Sequence, residues 1–160
     1  MNDPDHEQDP GGDRFTISFD DEQHVPVDVP SLRRIAHRAF ELLLVPDDAE
    51  LAVTFVEAAR MAELKERALG EKAPTDVLAF PMDDIDDPMP GPIVVGDVVI
   101  CPEVAEGQAR AAGHSLGDEL SLLLVHGILH CLGRDHATAD EEQAMFAEQA
   151  EILAAAGAVR

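Results

Sequence analysis

Three histidines, His126, His130 and His136, fall within the stretch HGILHCLGRDH at residues 126–136. Neutral imidazole is the commonest side-chain ligand for metal ions. On a helix, residues four apart lie one above the other on a single face. His126 and His130 therefore make a bidentate pair. Gly133 permits the left-handed turn that ends the helix, after which the chain can bring His136 back to the same point. Three imidazoles leave the fourth position of a tetrahedral zinc open to water, as catalytic zinc sites do. One zinc ion is favoured over nickel or copper by coordination habit and supply. Water on such an ion has its pKa lowered to about 7, and the ion can polarise a phosphoryl oxygen. The chemistry to expect is metal-assisted attack on a phosphodiester.

The same spacing fits the H-x-x-x-H-x-x-G-x-x-H pattern of metzincin proteases. Those enzymes place a glutamate directly after the first histidine as general base. Here that position is Gly127. The helical part of the segment holds no carboxylate, and Asp135 comes only after the turn. The chain keeps the metal geometry and lacks the protease's base.

The elements that must position these residues follow from periodicity. Arg14 to Asp20 alternates apolar and polar residues and reads as a strand. Pro30 suits the first turn of a helix carrying Leu32, Ile35, Ala36, Ala39, Phe40 and Leu43 at helical spacing and stopping by Pro46. Leu51 to Val56 is strand-like, and Ala58 to Leu69 is a helix ended by Gly70. DVLAF at 76–80 is a short strand closed by Pro81. DDIDDPMPGP at 83–92 is a solvated acidic loop without the order of a calcium-binding EF-hand. Ile93 to Ile100 is the most strand-like run, with a hint of a bulge at Gly96-Asp97. Pro102 opens a short helix ending near Gly113. Asp118 to Leu132 is a strongly apolar helix. A last helix opens at Thr138, which has capping-box spacing to Glu141, and its apolar face is Met145, Phe146 and Ile152. The expectation is an α+β domain over residues 14–160, with a single mixed four-stranded sheet packed by about five helices. Residues 1–13 read as a disordered acidic tail.

The 160 residues carry 33 acids against 11 bases, a net charge of -22, and lysine only at Lys65 and Lys72. Such a charge repels polyanions at long range and alone argues against nucleic-acid binding. A salty cytoplasm would shorten that repulsion to a few ångströms. Two small basic groups break the pattern: Arg33, Arg34 and Arg38 in the first helix, and Arg60, Lys65 and Arg67 in the second. They are either a local positive lane for RNA or solvated faces paired with glutamates. Cys101 and Cys131 make no disulfide framework and read as reduced, buried thiols. No run of 18 apolar residues predicts a membrane span, and the acidic start is unlike a secretory signal, so the expected location is the cytoplasm. Neither a P-loop nor a Rossmann fingerprint is present, so no nucleotide or redox cofactor is expected.

HGILHCLGRDH matches the H-G-x-L-H-x-x-G-x-D-H signature of the YbeY family of metal-dependent endoribonucleases. PTDVLAFP at 74–81 resembles that family's P-T-[DN]-V-L-S-F-P, and GDVVICPE at 96–103 is similar to a third segment. The likeness covers roughly residues 50–150, in matching order. It implies a cytoplasmic α/β protein with zinc on His126, His130 and His136. It also implies cleavage of single-stranded RNA in 16S rRNA 3′-end maturation and ribosome quality control, with the small ribosomal subunit as partner. Many members carry an aromatic-Arg-Gly stretch before the PT motif, whose arginine is considered important for activity. Here that stretch is Ala68-Leu69-Gly70, with Arg67 and Lys72 as the nearest cations, and Ala79 replaces the usual serine.

Further roles divide between alternatives. Asp135 either orients a ligand histidine through its free ring N–H or caps the turn. Arg134 contacts a phosphate or is a surface arginine. Arg67 and Asp135 are the candidates for a catalytic part, Arg134 and Lys72 for substrate binding. Asp97 serves the metal surroundings or the bulge. His114 reads as loop or cap, and His6, His24 and His37 lack ligand spacing. The competing function is a zinc-dependent hydrolase of peptides or small molecules; a ribosome-bound module with structural zinc is a third reading.

Overall fold

The computed structural model describes residues 14–70, 75–87, 89–134 and 137–157. The expected acidic tail at 1–13 lies outside the described residues. The elements run β1 (Thr16–Glu22), α1 (Val29–Leu42), β2 (Glu50–Val56), α2 (Ala58–Leu69), β3 (Val77–Pro81), β4 (Val94–Ile100), α3 (Pro102–Ala112), α4 (Leu116–Cys131) and α5 (Ala139–Ala155). The strands form one sheet in the order β1-β2-β4-β3. β1 and β4 flank β2 in parallel, and β3 runs antiparallel to β4. This is the mixed four-stranded α+β arrangement that the alternation of patterns predicts.

Each parallel pair needs a crossover, since two strands running the same way cannot be joined by a tight turn. α1 supplies the first. The Asp28 carboxylate accepts from Ser31 N–H, Pro30 sits in the first turn, and Leu32, Ile35, Ala36, Ala39 and Phe40 are buried. α2 and β3 supply the second, with α2 ended by Gly70 in the left-handed conformation at φ 75°. The β2–β4 register slips between Glu50 and Leu51, which pair with Val94 and Gly96. Val95 is the extra residue, so the bulge lies one position before the Gly96-Asp97 pair that suggested it. Gly96 is required there by close approach. A Cβ at this position would lie 2.5 Å from the Phe80 carbonyl oxygen and 2.8 Å from Cys131 Sγ.

α4 is the helix around which the others assemble; it packs against β3, β4, α1, α3 and α5. It begins at Leu116, two residues before the position read from the sequence. The Ser115 hydroxyl accepts from Asp118 N–H, and Asp118 and Glu119 sit in the first turn, where the helix dipole favours negative charge. Gly117 therefore lies inside the first turn. α5 is capped as expected: the Thr138 hydroxyl accepts from Glu141 N–H at 3.1 Å. Its buried face differs from the expected one. Met145, Gln149, Ile152 and Leu153 are buried, whereas Phe146 is 53% exposed. One residue's step turns a helix about 100°, which carries Phe146 off the stripe set by Met145, Gln149 and Ile152.

Gly127 lies where α4 meets the sheet. A Cβ there would fall 2.6 Å and 3.0 Å from the two methyls of Val98 on β4. The position that carries a protease's glutamate is thus filled by the sheet. A glycine-to-alanine change within a helix gains about 1 kcal/mol in propensity, while forcing a methyl into packed space costs about 1–3 kcal/mol. Gly127→Ala is expected to destabilise by about 1 kcal/mol net, the overpacking outweighing the propensity gain. In a Val98→Ala background, where the methyls are gone, the same change is expected to stabilise by up to ~1 kcal/mol. Urea unfolding of the four chains measures this; equal effects of Gly127→Ala in both backgrounds would refute the contact.

Candidate metal centre

The last two turns of α4 hold the paired histidines. His126 Nε2 and His130 Nε2 face each other at 3.0 Å, with their rings edge to face. Two nitrogens bound tetrahedrally to one zinc at about 2.0–2.1 Å lie roughly 3.3 Å apart. The pair is therefore already converged to within a few tenths of an ångström of that spacing. The other side of the His126 ring is held too. Its Nδ1 lies 2.5 Å from Oε1 of Gln149 on α5, and Gln149 is only 5% exposed. A carbonyl oxygen accepts, so Nδ1 carries the proton and Nε2 is the lone-pair nitrogen. Neutral imidazole presenting Nε2 is the donor that divalent zinc takes. The residues described therefore fit a metal.

α4 ends in a Schellman turn. Gly133 N–H donates to the His130 carbonyl at 3.0 Å and Arg134 N–H to the Leu129 carbonyl at 2.9 Å, with Gly133 at φ 90°. This is the reversal that the glycine predicts. Arg134 then forks onto Glu148 of α5 through two hydrogen bonds of 3.1 Å each. That pairing raises the guanidinium's already high pKa. Asp135 and His136 lie outside the described residues, as does Lys72. The structure thus brings His126 and His130 together, and His136, the third histidine of the motif, lies outside the described residues.

The histidine pair opens on a cavity of about 510 Å³ bounded by Leu69 at the end of α2, by Thr75 and Asp76, and by Phe80 of β3. That volume is in the range of small-molecule sites, typically 300–1,000 Å³. Its lining mixes apolar side chains with few polar groups, among them Asp76, whose carboxylate lies 3.5 Å from the Thr75 hydroxyl. β3 is placed over the histidines because it pairs with β4, on which α4 rests. Arg67 is exposed in the last turn of α2, one residue before the lining begins.

The remaining candidates sort as follows. Asp97 pairs with Phe80 across β3–β4 and lies beside the bulge. His114 follows α3, and its Nε2 sits 2.5 Å from Oε1 of Glu119, a buried carboxylate on α4. His24 lies 3.2 Å from Glu57, and the His37 ring packs on Phe15. Several of the clustered bases are paired: Arg38 with Glu41 and Arg60 with Glu63, while Arg33 stacks over Phe19. Gln149 and the His114–Glu119 pair escaped sequence reasoning. Glutamine has no pattern of its own, although Gln149 stands four residues after Met145, and that spacing already placed it on the apolar stripe.

A family model described as Endoribonuclease YbeY matches residues 17–157. Similar proteins named Endoribonuclease YbeY include one from Thermobifida fusca, 48% identical over 144 residues, covering 88% of this chain and 93% of that one. Another, from Beutenbergia cavernae, is 50% identical over 143 residues, covering 87% and 95%. A third, from Mycolicibacterium smegmatis, is 46% identical over 145 residues, covering 87% and 82%. The solution structure of TM1509 from Thermotoga maritima is similar with a TM-score of 0.57 and 26% identity, covering 87% of this chain and 86% of that one.

Cys131 adjoins His130 in sequence, and thiolate is a strong zinc ligand, so its direction matters. Its Sγ points away from the cavity, against the Asp97 carbonyl and Gly96 of β4. Burial, reinforced by the negative charge of Asp97, pushes the thiol up to about 12. Burial also raises Cys101, and both cysteines are free. At about pH 8 only roughly one Cys131 in 10⁴ is thiolate, the reactive form. The native protein is therefore expected to resist thiol-specific reagents at that pH, both cysteines reacting only as denaturant unfolds the chain. The proton held by native Cys131 also makes stability fall as pH rises from about 9 towards 12. Rapid modification of either thiol in the native protein would contradict this.

Proposed function

The chain belongs to the endoribonuclease YbeY family, and on that premise we propose that it cleaves single-stranded RNA at a zinc ion held by His126, His130 and His136. Members of this family are hydrolytic, metal-dependent endoribonucleases, and this chain is one of them. The finer reading is maturation of the 16S rRNA 3′ end and ribosome quality control, in the cytoplasm and in contact with the small ribosomal subunit. The observation that carries the metal site is the convergence of His126 Nε2 and His130 Nε2 at 3.0 Å on the wall of the cavity.

Bound there, the ion supplies an activated water and a Lewis acid for a phosphoryl oxygen. The protein's own residues do the rest. His126 and His130 present neutral nitrogens, so the cation's charge is not cancelled by its protein ligands. The cavity is wide enough for one nucleotide unit, and Leu69 and Phe80 offer apolar surface against which a base can pack. Thr75 and Asp76 offer hydrogen-bonding groups for sugar or base edges. A cavity of this size suits a single strand, because duplex RNA is far thicker than one nucleotide. Gly127 holds α4 against Val98 and so leaves no room for a protease-type base. That favours phosphodiester over peptide hydrolysis.

Purified protein assayed on unstructured RNA, duplex RNA and casein, with and without chelator, tests this reading. Cleavage of the unstructured RNA is expected, with loss on chelation and recovery with zinc. Loss of metal activation removes several kcal/mol of transition-state stabilisation, so His126→Ala and His130→Ala are each expected to lower the rate by at least roughly 10³-fold. RNA cleavage that persists in either variant, or in excess chelator, would overturn the proposed centre.

A further inference from the structure

We propose that Gln149 is a positioning residue for the metal centre, fixing His126 in the tautomer that turns Nε2 toward the cation. The proposal rests on the reading of His126 and His130 as ligands and goes beyond it by naming what holds their geometry.

Gln149 is an amide buried to 5% exposure on a helix otherwise anchored by Met145, Ile152 and Leu153. Leaving such a group without a partner is costly, so its partner decides why it is there. That partner is His126 Nδ1, 23 residues earlier in the chain. An amide has two ends with opposite effects on a neutral imidazole. Its oxygen accepts from Nδ1–H and leaves the lone pair on Nε2. Its NH2 would donate to an unprotonated Nδ1 and put the ring's proton on Nε2, where it would block ligation. The structure turns Oε1 to the ring. With His126 so fixed, Nε2 of His130 faces a lone pair rather than a second N–H.

The neighbouring residue extends the logic. Glu148 holds Arg134 by a bidentate pair, and Arg134 is two residues before His136. Consecutive side chains of α5 thus hold His126 directly and fix Arg134 at the turn that ends α4. A neutral amide suits this task. A carboxylate in its place raises the ligand's basicity and passes negative charge toward a cation that must meet a polyanion.

The experiment compares wild type with Gln149→Met, which keeps length and apolar fit but loses the strong acceptor, and with Gln149→Glu, which keeps an acceptor oxygen. Zinc affinity is measured by competition with a chromogenic chelator, and folding of the metal-free proteins by thermal melting. The tautomer of His126 in metal-free wild type is read from long-range ¹H–¹⁵N NMR couplings. Expected are an Nδ1–H tautomer at His126, zinc binding weakened about 10- to 100-fold in Gln149→Met, and binding within about threefold of wild type or tighter in Gln149→Glu. Undiminished affinity in a folded Gln149→Met, or an Nε2–H tautomer at His126 in wild type, would overturn the proposal. Should Gln149→Met fail to fold, the tautomer and the Gln149→Glu affinity decide the matter, and weakened binding in a folded Gln149→Glu counts against it. Failure of wild type to bind zinc while His126 shows the Nδ1–H tautomer would overturn the metal reading itself and leave the Gln149 contact as structure only.

Discussion

The centre depends on one contact, the approach of α4 to β4 at Gly127 and Val98. A helix buried on nearly every side must still turn two imidazoles toward a cavity. It does so because the helical repeat puts His126 and His130 on one face, while Gly127 lets the backbone between them sink against the sheet. The depth of that seat sets where the ring nitrogens stand relative to β3, since β3 and α4 both refer to β4. A side chain at 127 would lift the helix, and with it both histidines, off that reference. Gly96 serves the same contact from the other partner, clearing room for Cys131 and the Phe80 carbonyl.

Helix α5 closes the arrangement from the opposite side. Its core residues, Met145, Ile152 and Leu153, dock it on the domain, and its polar Glu148 and Gln149 reach Arg134 and His126. Burial of apolar area supplies the free energy of docking and has no direction of its own. The two polar contacts are directional and decide how the docked helix meets the ligands. The geometry of the proposed centre is thus an outcome of tertiary packing, with local helix structure providing only the histidine pair.

Most of this was legible in the sequence wherever local chemistry dictates local structure. Pro30, Gly70, Gly113, Gly133 and Thr138 each mark a helix end for a stated physical reason, and the ends fall at or beside them. The histidine pair was legible because helix geometry alone brings residues four apart together. What was not legible rests on contacts between distant segments. Gln149 is far from His126 in sequence, and nothing in either residue announces the other. Gly127 read only as the absence of a glutamate; its positive role, space for Val98, exists only once α4 lies on β4. Phe146 lies off the buried face although it is apolar, because the stripe is fixed by Met145 and Ile152, and Gln149, though polar, falls on it.

The acidic surface poses the last question, how a chain of net charge -22 meets RNA. Five of the described arginines are already engaged by carboxylates. Arg14 pairs with Asp47 and Glu41, Arg38 with Glu41, Arg60 with Glu63, Arg110 with Glu106 and Arg134 with Glu148. Exposed pairs of this kind add little stability, about 0–1 kcal/mol each, and their chief effect is to cancel positive charge that RNA would otherwise find. Long-range attraction is therefore weak or repulsive, and affinity must be generated at contact distance. The histidine-lined cavity is built for that. Its histidines are neutral donors, the partner of His126 is a neutral amide, and Asp76 is the one carboxylate in its lining. A cation at the proposed centre would be only partly offset by Asp76, and its field would act on a phosphate brought within a few ångströms. On the proposed reading, repulsion at a distance and attraction confined to one point would select for strands thin enough to reach that point.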